Sequence, residues 1–495
     1  MIVLLRKYWK QIALFGIISA VYINCTTPGM TWSGFDCDLG DFLFAAKYGT
    51  IIHFPGFPVY GMLAWLAVRI PIGGSDSFRL AFFLSTIPAI ITCVLVYLAV
   101  KKQTANKWAP YVGTLALAGA NIFIMQSIIP EVYVFTALMV TASYTALVYG
   151  KFRIAAIFGG LTCAMHWMAA PAIIGFFLIS KEFRRKWKYI ILSFGIPYIY
   201  TVIMANANPS YHLTNQSTVG LLQYAFGTLS DNMQWWLDLP IWQVPGKILT
   251  TIVLFCVAFG LSLIPMIKYL CDWRKSALLL VAIVIPLLYF FGCVAGLTIV
   301  HPVVCLPFLA IAAGLGIDNV RRISPKFICA TSFVLLCLLP LNFDIGRTLD
   351  KNMSTESFYR SFDSVSDHDI VIDIGKLYNV TTNISLVGSR EDTLLKLYND
   401  NENRDIISID IVAYCGIGRV YNYSDKETEN YRNSLINDYN MSTPFSVDAS
   451  IGLTELYWKN VDLIAKANPD RRVFYIMLFE NDPFMRELVQ YEYEN

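Results

Sequence analysis

The sequence predicts a polytopic α-helical membrane protein with a C-terminal extracytoplasmic α/β domain. Three observations predict it. Apolar runs of spanning length recur up to Leu341, net charge reverses just after them, and basic residues collect on alternate sides of the runs. The chain has 495 residues, 56% hydrophobic and 15% charged, whereas soluble globular chains carry about 25% charged residues. From Met1 to Phe343 there are 23 Lys and Arg against 10 Asp and Glu, and from Asp344 to Asn495 there are 15 against 26. The overall charge of +2 conceals this reversal. Together with the end of the apolar runs it sets two domains, 1–343 in the membrane and 344–495 outside it. No basic patch suggests a nucleic-acid partner.

The candidate spans are Gln11–Cys25, Phe78–Val100, Ala109–Ile128, Val132–Tyr149, Ile154–Met165, Ala169–Ser180, Tyr189–Ala205, Ile248–Ile267, Ser276–Val294, Val303–Gly316 and Phe327–Leu341, about eleven in all. The two runs between Ile154 and Ser180 could also form one long span. With a cytoplasmic N-terminus, nineteen basic residues fall on the inner side. They include Lys101, Lys102, Lys107, Lys151, Arg153 and the Lys181–Lys188 cluster. Only Lys47, Arg69, Arg79 and Lys247 fall outside. This asymmetry orients the protein, and an odd number of spans places the C-terminal domain outside. Seven Asn-x-Ser/Thr sequons, beginning at Asn24, Asn215, Asn352, Asn379, Asn383, Asn422 and Asn440, all lie on the predicted outer side. Asn is also simply common in the outer domain, which weakens that agreement. The first apolar run lacks a small-residue cleavage site and reads as a retained anchor in a plasma membrane or endoplasmic reticulum. Most of the eleven cysteines read as small apolar packers. Cys25 and Cys37, both near the outer face, could pair, and Cys415 is alone in the outer domain.

The loop from 26 to 77 is no plain connection. Phe42–Tyr48 is helix-compatible, and Val59–Ile70 is apolar but too short to span, so it is expected to lie in the interface. Pro55, Gly56 and Pro58 break the chain between them. A second outer loop, 206–246, contains Trp235, Trp236 and Trp242, which suit a membrane interface or could line a groove for a lipid chain or a sugar. In the outer domain Asp369–Ile374, Ile384–Val387, Ile406–Ile411 and Arg472–Leu478 read as strands, Asp392–Tyr398 and Thr454–Lys466 as helices. Asp344–His368 reads as a linker.

Three of the ten acids in the first part, Asp36, Asp38 and Asp41, fall together just beyond the first apolar run. Carboxylates clustered at a membrane surface are costly to dehydrate and mark a functional hypothesis. They could be a general base, a site for Mg²⁺ or Mn²⁺ with waters, or a wet loop. Beyond them, no Cys or His spacing suggests a metal, and no cofactor is expected.

Asp38-Leu39-Gly40-Asp41-Phe42, the paired Ala45-Ala46 and His53-Phe54-Pro55-Gly56-Phe57-Pro58-Val59-Tyr60 resemble the first outer loop of a family of polytopic proteins. It was long labelled a domain of unknown function and includes an animal protein O-mannosyltransferase. That family is similar to the GT-C superfamily of glycosyltransferases, which use polyprenyl-phosphate sugars. Glu131-Val132-Tyr133 resembles a Glu-Val-Tyr element of the same family. The motif-bearing likeness covers about Phe35–Tyr60 and Glu131–Tyr133. Two positions depart from it: Phe54 stands where the family has Pro, and Asp41 where Glu is usual.

The resemblance implies an integral-membrane enzyme that moves a monosaccharide, mannose first among the sugars, from a polyprenyl-phosphate donor to a hydroxyl of a protein or lipid-linked glycan. Such a hydroxyl is a weak nucleophile that a carboxylate can deprotonate as it attacks. The phosphate can leave without a metal if cations or hydrogen-bond donors hold it. Asp38 or Asp41 sits where such a base must sit, and the resemblance points to Asp38. Asp41 could orient the acceptor, raise the proton affinity of Asp38, or cap the following helix. His53 could touch the donor or fix its own turn. Glu131 could bond to the first loop or to a sugar hydroxyl, and Tyr133 is expected to be interface packing. Outer-side donors for the phosphate are Arg79, His166, His301, Lys247 and Arg69, Arg79 having a salt bridge to Asp76 as its structural alternative. Two other classes stand beside the enzyme: a lipid or solute transporter, disfavoured because the acids cluster at one face, and a non-catalytic scaffold, for which Asp38 and Asp41 would be replaceable.

Overall fold

The computed structural model describes residues 2–26, 42, 46, 57–72, 76–207, 243–293, 301–320, 323–338, 370–374, 406–409, 462, 465–466, 469–479 and 482–490. Asp36, Asp38, Asp41, His53, Cys37, the 206–246 tryptophans, the linker, and the expected strand at Ile384 and helix at Asp392 lie outside the described residues. The chain divides into two compact units: 1–29, 54–204 and 221–344 form one, and 30–53, 205–220 and 345–495 the other.

The first unit is helical, as its apolar runs demand. Helix α1 (Ile2–Cys25) is followed by α2 (Pro58–Ala67), α3 (Asp76–Leu80), a π-helical turn (Ala81–Thr86) and α4 (Ile87–Gln103). Then come α5 (Ala109–Ala118), α6 (Asn121–Ser127), α7 (Val132–Val148), α8 (Phe152–Met165), α9 (Ala170–Ile179), α10 (Lys181–Arg184) and α11 (Trp187–Ala207). The unit continues with α12 (Gln243–Phe259), α13 (Leu263–Leu270), α14 (Trp273–Cys293), α15 (Leu306–Leu315) and α16 (Pro325–Leu338). Among the described residues four helical stretches are long and apolar enough to cross a membrane, Phe78–Gln103, Val244–Leu270, Trp273–Phe291 and His301–Asn319, and a fifth if a bent pair counts as one span. The protein is therefore a multi-pass helical membrane protein.

Where the sequence suggests one span over Ala109–Ile128, the chain breaks at Gly119-Ala120, and the second piece turns by 110° into α7. Tertiary contact explains the first break. A Cβ on Gly119 would lie 2.7 Å from the Ser332 carbonyl, so α5 ends where it meets α16. The expected interfacial segment at Val59 is helix α2, which buries Pro58, Val59, Tyr60, Ala64 and Ala67. The two runs from Ile154 to Ser180 are separate helices, parted by a 3-10 turn at Trp167–Ala169.

Helix α15 is buried on every side and forms the centre of this unit. Small residues let its neighbours approach: a Cβ on Gly314 would stand 2.8 Å from the Ala109 carbonyl and one on Gly113 would stand 2.9 Å from that of Ala310. Without a hydrophobic force between helices in lipid, such close packing holds them together. Helix α11, by contrast, leaves Ile191, Leu192, Ile196, Ile199 and Ile203 exposed, as a lipid-facing helix does. The tightest site is Gly316, where a Cβ would fall 1.9 Å from the Pro265 carbonyl oxygen and 2.6 Å from its carbon. Backbone cannot yield as a side chain can, so Gly316→Ala is expected to destabilise the fold by about 3 kcal/mol. Thermal unfolding of the purified variant in detergent measures this, and an unchanged midpoint would contradict the packing.

In the second unit, β1 (Ile370–Ile374), β2 (Ile406–Ile409), β3 (Val473–Phe479) and β4 (Asp482–Gln490) form one sheet in the order β2-β1-β3-β4. β1 runs parallel to β2, with Val371 opposite Ile406, and parallel to β3, with Ile370 opposite Val473. β4 closes the edge antiparallel to β3. The first three strands coincide with runs rich in Ile and Val, which suit a pleated, half-buried surface.

Candidate active site

The site begins at a hydroxyl pair. The π-helical turn Ala81–Thr86 turns two buried side chains, Ser85 and Thr86, toward the break between α6 and α7. The Thr86 hydroxyl donates to the Ser127 carbonyl at 2.8 Å and lies 2.8 Å from the Thr26 hydroxyl. Ser85 Oγ accepts from the Glu131 backbone N–H at 3.2 Å and donates to its carbonyl at 3.4 Å. Glu131 is extended (φ −141°, ψ 150°), so its backbone has left the helical ladder and Ser85 satisfies it. π-helical turns recur at functional sites, and this one latches a broken span.

Glu131 then caps α7. Its Oε2 accepts from the Val132 N–H at 3.2 Å, and the residue is only 4% exposed. A carboxylate at a helix N-terminus is stabilised by the helix dipole. The other described acids of this unit do different work. Glu182 pairs with Arg185 at 2.6 Å, Asp272 with Lys275 at 2.9 Å, and Asp318 accepts from Asn106 and Thr104 at 2.6 and 3.1 Å, joining two loops. Lys275 holds the Asp272 carboxyl below its ordinary pKa. Among the acids with described side chains, Glu131 alone is buried in this unit.

Two residues beyond Glu131, Tyr133 sits between the predicted histidines, its ring centroid 5.4 Å from His166 and 5.3 Å from His301. It is buried, which corrects the expectation of interface packing: the 110° bend directs the first turn of α7 inward. His166 terminates α8 in an extended conformation, and its Nδ1 accepts from the Met168 N–H at 3.0 Å. An accepting Nδ1 carries no proton, so the ring's N–H is on Nε2. His166 also stacks on Phe57 at 5.1 Å. Phe57 has φ 35°, a left-handed conformation costly for a bulky residue, immediately before Pro58 at the start of α2. Strain of this kind persists where surroundings over-determine it, and here a buried ring stack does so.

His301 opens the 3-10 turn His301–Cys305 and stacks on Phe290 of α14 at 5.8 Å. Lys247 of α12, only 1% exposed, holds its Nζ 5.8 Å from the same ring. The result is a continuous string of rings, Phe57, His166, Tyr133, His301 and Phe290, ending at a buried ammonium. It is contributed by separate segments of one unit. Cations over aromatic faces are favourable, and two imidazoles with a lysine supply the donors an anionic oxygen needs.

Of the predicted phosphate donors, the structure brings His166, His301 and Lys247 into this string beside Glu131 and Tyr133. Arg79 donates from Nε to the Ile72 carbonyl at 3.1 Å and from a terminal N–H to that of Val68 at 3.2 Å, closing the turn after α2. Arg69 donates to the Trp65 carbonyl at 2.7 Å and stacks over its ring at 4.0 Å. Asp38, Asp41 and His53 lie outside the described residues. Among the described residues no group of three His, Cys, Asp or Glu could hold a metal ion. Sequence reasoning missed Ser85 and Phe290, for which no local signal exists, and undervalued Phe57 and Tyr133, which lie within the quoted motifs.

No protein-family model matches the chain, and no curated protein matches it. Among solved structures it is similar to ArnT from Cupriavidus metallidurans in the apo state, at 10% identity and a TM-score of 0.45 over 98% of both chains. It is likewise similar to the same protein bound to undecaprenyl phosphate, at 9% identity and a TM-score of 0.47 over 98% of both chains.

Proposed function

We propose that the protein is an integral-membrane glycosyltransferase. It would move a monosaccharide, mannose first among the candidates, from a polyprenyl-phosphate donor to a hydroxyl of a protein or lipid-linked glycan on the outer face. The observation that carries this reading is the meeting of two motifs at one histidine. Phe57, from the His53–Tyr60 segment, and Tyr133, from Glu131-Val132-Tyr133, pack against His166 at 5.1 and 5.4 Å. Two of the segments that carry the resemblance to the glycosyltransferase family are therefore spatial neighbours.

In this reading His166, His301 and Lys247 hold the donor phosphate, whose charge grows as the bond to the anomeric carbon breaks. Asp38 takes the acceptor's proton as the hydroxyl attacks from the opposite side of the sugar, inverting the anomeric centre. Asp41 orients the acceptor, with His53 at the donor. Glu131, fixed by Ser85, supports the arrangement from the base of α7. The reaction asks for no metal in these roles. The domain 344–495 is proposed to lie outside the membrane and to meet the acceptor there.

Sugar transfer in purified membranes tests the reading. Labelled polyprenyl-phosphate sugars, beginning with mannose, are supplied with native protein and lipid acceptors. Incorporation above that of membranes lacking the protein is expected for one donor. No transfer from any donor would overturn the assignment in favour of transport or scaffolding.

A further inference from the structure

The turn joining α9 to α11 is built as a rigid basic knob. Ser180 caps α10 by accepting from the Phe183 N–H at 3.3 Å, and the Arg184 N–H donates to the Ser180 carbonyl at 2.9 Å. Phe183 is fully buried and plugs the notch left by Gly159, where a Cβ would come within 3.2 Å of its ring, and it meets Phe176 edge-on at 6.4 Å. Around this plug radiate Lys181, Arg184, Arg185, Lys186 and Lys188, five cations against one acid in eight residues. All but the half-buried Lys186 are exposed. Glu182 is engaged by Arg185 at 2.6 Å. The other four cations have no carboxylate partner among the described residues. Trp187 is exposed, with the Lys188 Nζ 5.9 Å from its ring.

The charge does not face water alone. Apolar side chains run up to the turn from both helices: Ile174, Leu178 and Ile179 on α9, and Ile191 and Leu192 on α11, with Leu178 63% and Leu192 61% exposed. A soluble acidic partner would match the cations and leave these faces bare. A molecule with a negative head and apolar tails matches both.

We propose that the 180–188 turn binds the headgroup of an anionic phospholipid, whose acyl chains lie along the exposed faces of α9 and α11. The charge asymmetry assigns this end to the cytoplasm, where anionic lipids attract basic segments beside a span. The site is separate from the aromatic string and needs no assumption about the reaction.

The test uses the full-length protein in a neutral detergent and follows its thermal midpoint with added phosphatidylglycerol, phosphatidylcholine or soluble glycerol phosphate. A ligand that binds only the folded state raises the midpoint. Phosphatidylglycerol is expected to raise it above phosphatidylcholine, and glycerol phosphate at equal concentration to leave it unchanged. The extra shift is expected to vanish in Arg184→Gln/Lys186→Gln/Lys188→Gln and to shrink for the wild type in high salt, which screens exposed charge. Equal shifts from the two lipids, a shift that survives in the triple variant, or one that survives high salt would overturn the proposal. A shift from glycerol phosphate alone would replace the lipid with a free phosphate compound. Should the triple variant fail to fold, the salt and lipid arms on the wild type decide.

Discussion

Asp38→Asn is expected to lower sugar transfer by about 10²–10⁴-fold, the range that general-base catalysis contributes. Asparagine keeps the size of the side chain and removes only its capacity to take a proton, so the membrane domain should fold and express as before. Asp36→Asn, at an acid outside the family pattern, is expected to retain transfer. Asp41→Asn is expected to fall between them, because a residue that orients the acceptor aids attack without accepting its proton. The measurement is transfer from the competent donor, normalised to folded protein. Equal activity in all three variants would remove the first outer loop from the reaction. Equal loss in all three would instead point to a shared ion site, and restoration by added Mg²⁺ or Mn²⁺ would identify it.

The helices were legible because apolar runs have no other use at such length, and α1, α4, α7 and α14 sit on the runs that announce them. The break at Gly119 and the 110° turn at Glu131 were not. Residues 109–128 are mostly apolar, and what accompanies the break is the close approach of Gly119 to Ser332, while a hydrogen bond from the Glu131 N–H to Ser85 holds the turn that follows, partners far away in the chain. The candidate site divides in the same way. His166, His301, Glu131 and Lys247 stand out in sequence because a polar group among apolar runs is expensive and so informative. Tyr133, the neighbour the two histidines share, does not, since tyrosine at a span end is ordinary interfacial packing. Only the fold shows that rings from separate segments line up between them.

Lys247→Met carries the second large expectation. A buried ammonium is expensive, and it is retained where it meets anionic or hydrogen-bonding groups. Lys247 is 1% exposed and ends the ring string at Phe290. Methionine has similar length and volume, and replacing a buried charge with an apolar side chain is often neutral or stabilising. If the lysine serves structure, the thermal midpoint should drop and activity per folded molecule should persist. If it holds the phosphate, the midpoint should hold and transfer should fall by about 10²–10³-fold, as when one donor to a developing oxyanion is removed. The donor is a phosphodiester with one negative charge, and the departing polyprenyl phosphate gains a second. A fixed ammonium therefore attracts the transition state more strongly than the bound donor. The loss should accordingly appear in kcat more than in KM, and a loss confined to KM would limit Lys247 to holding the donor in its ground state.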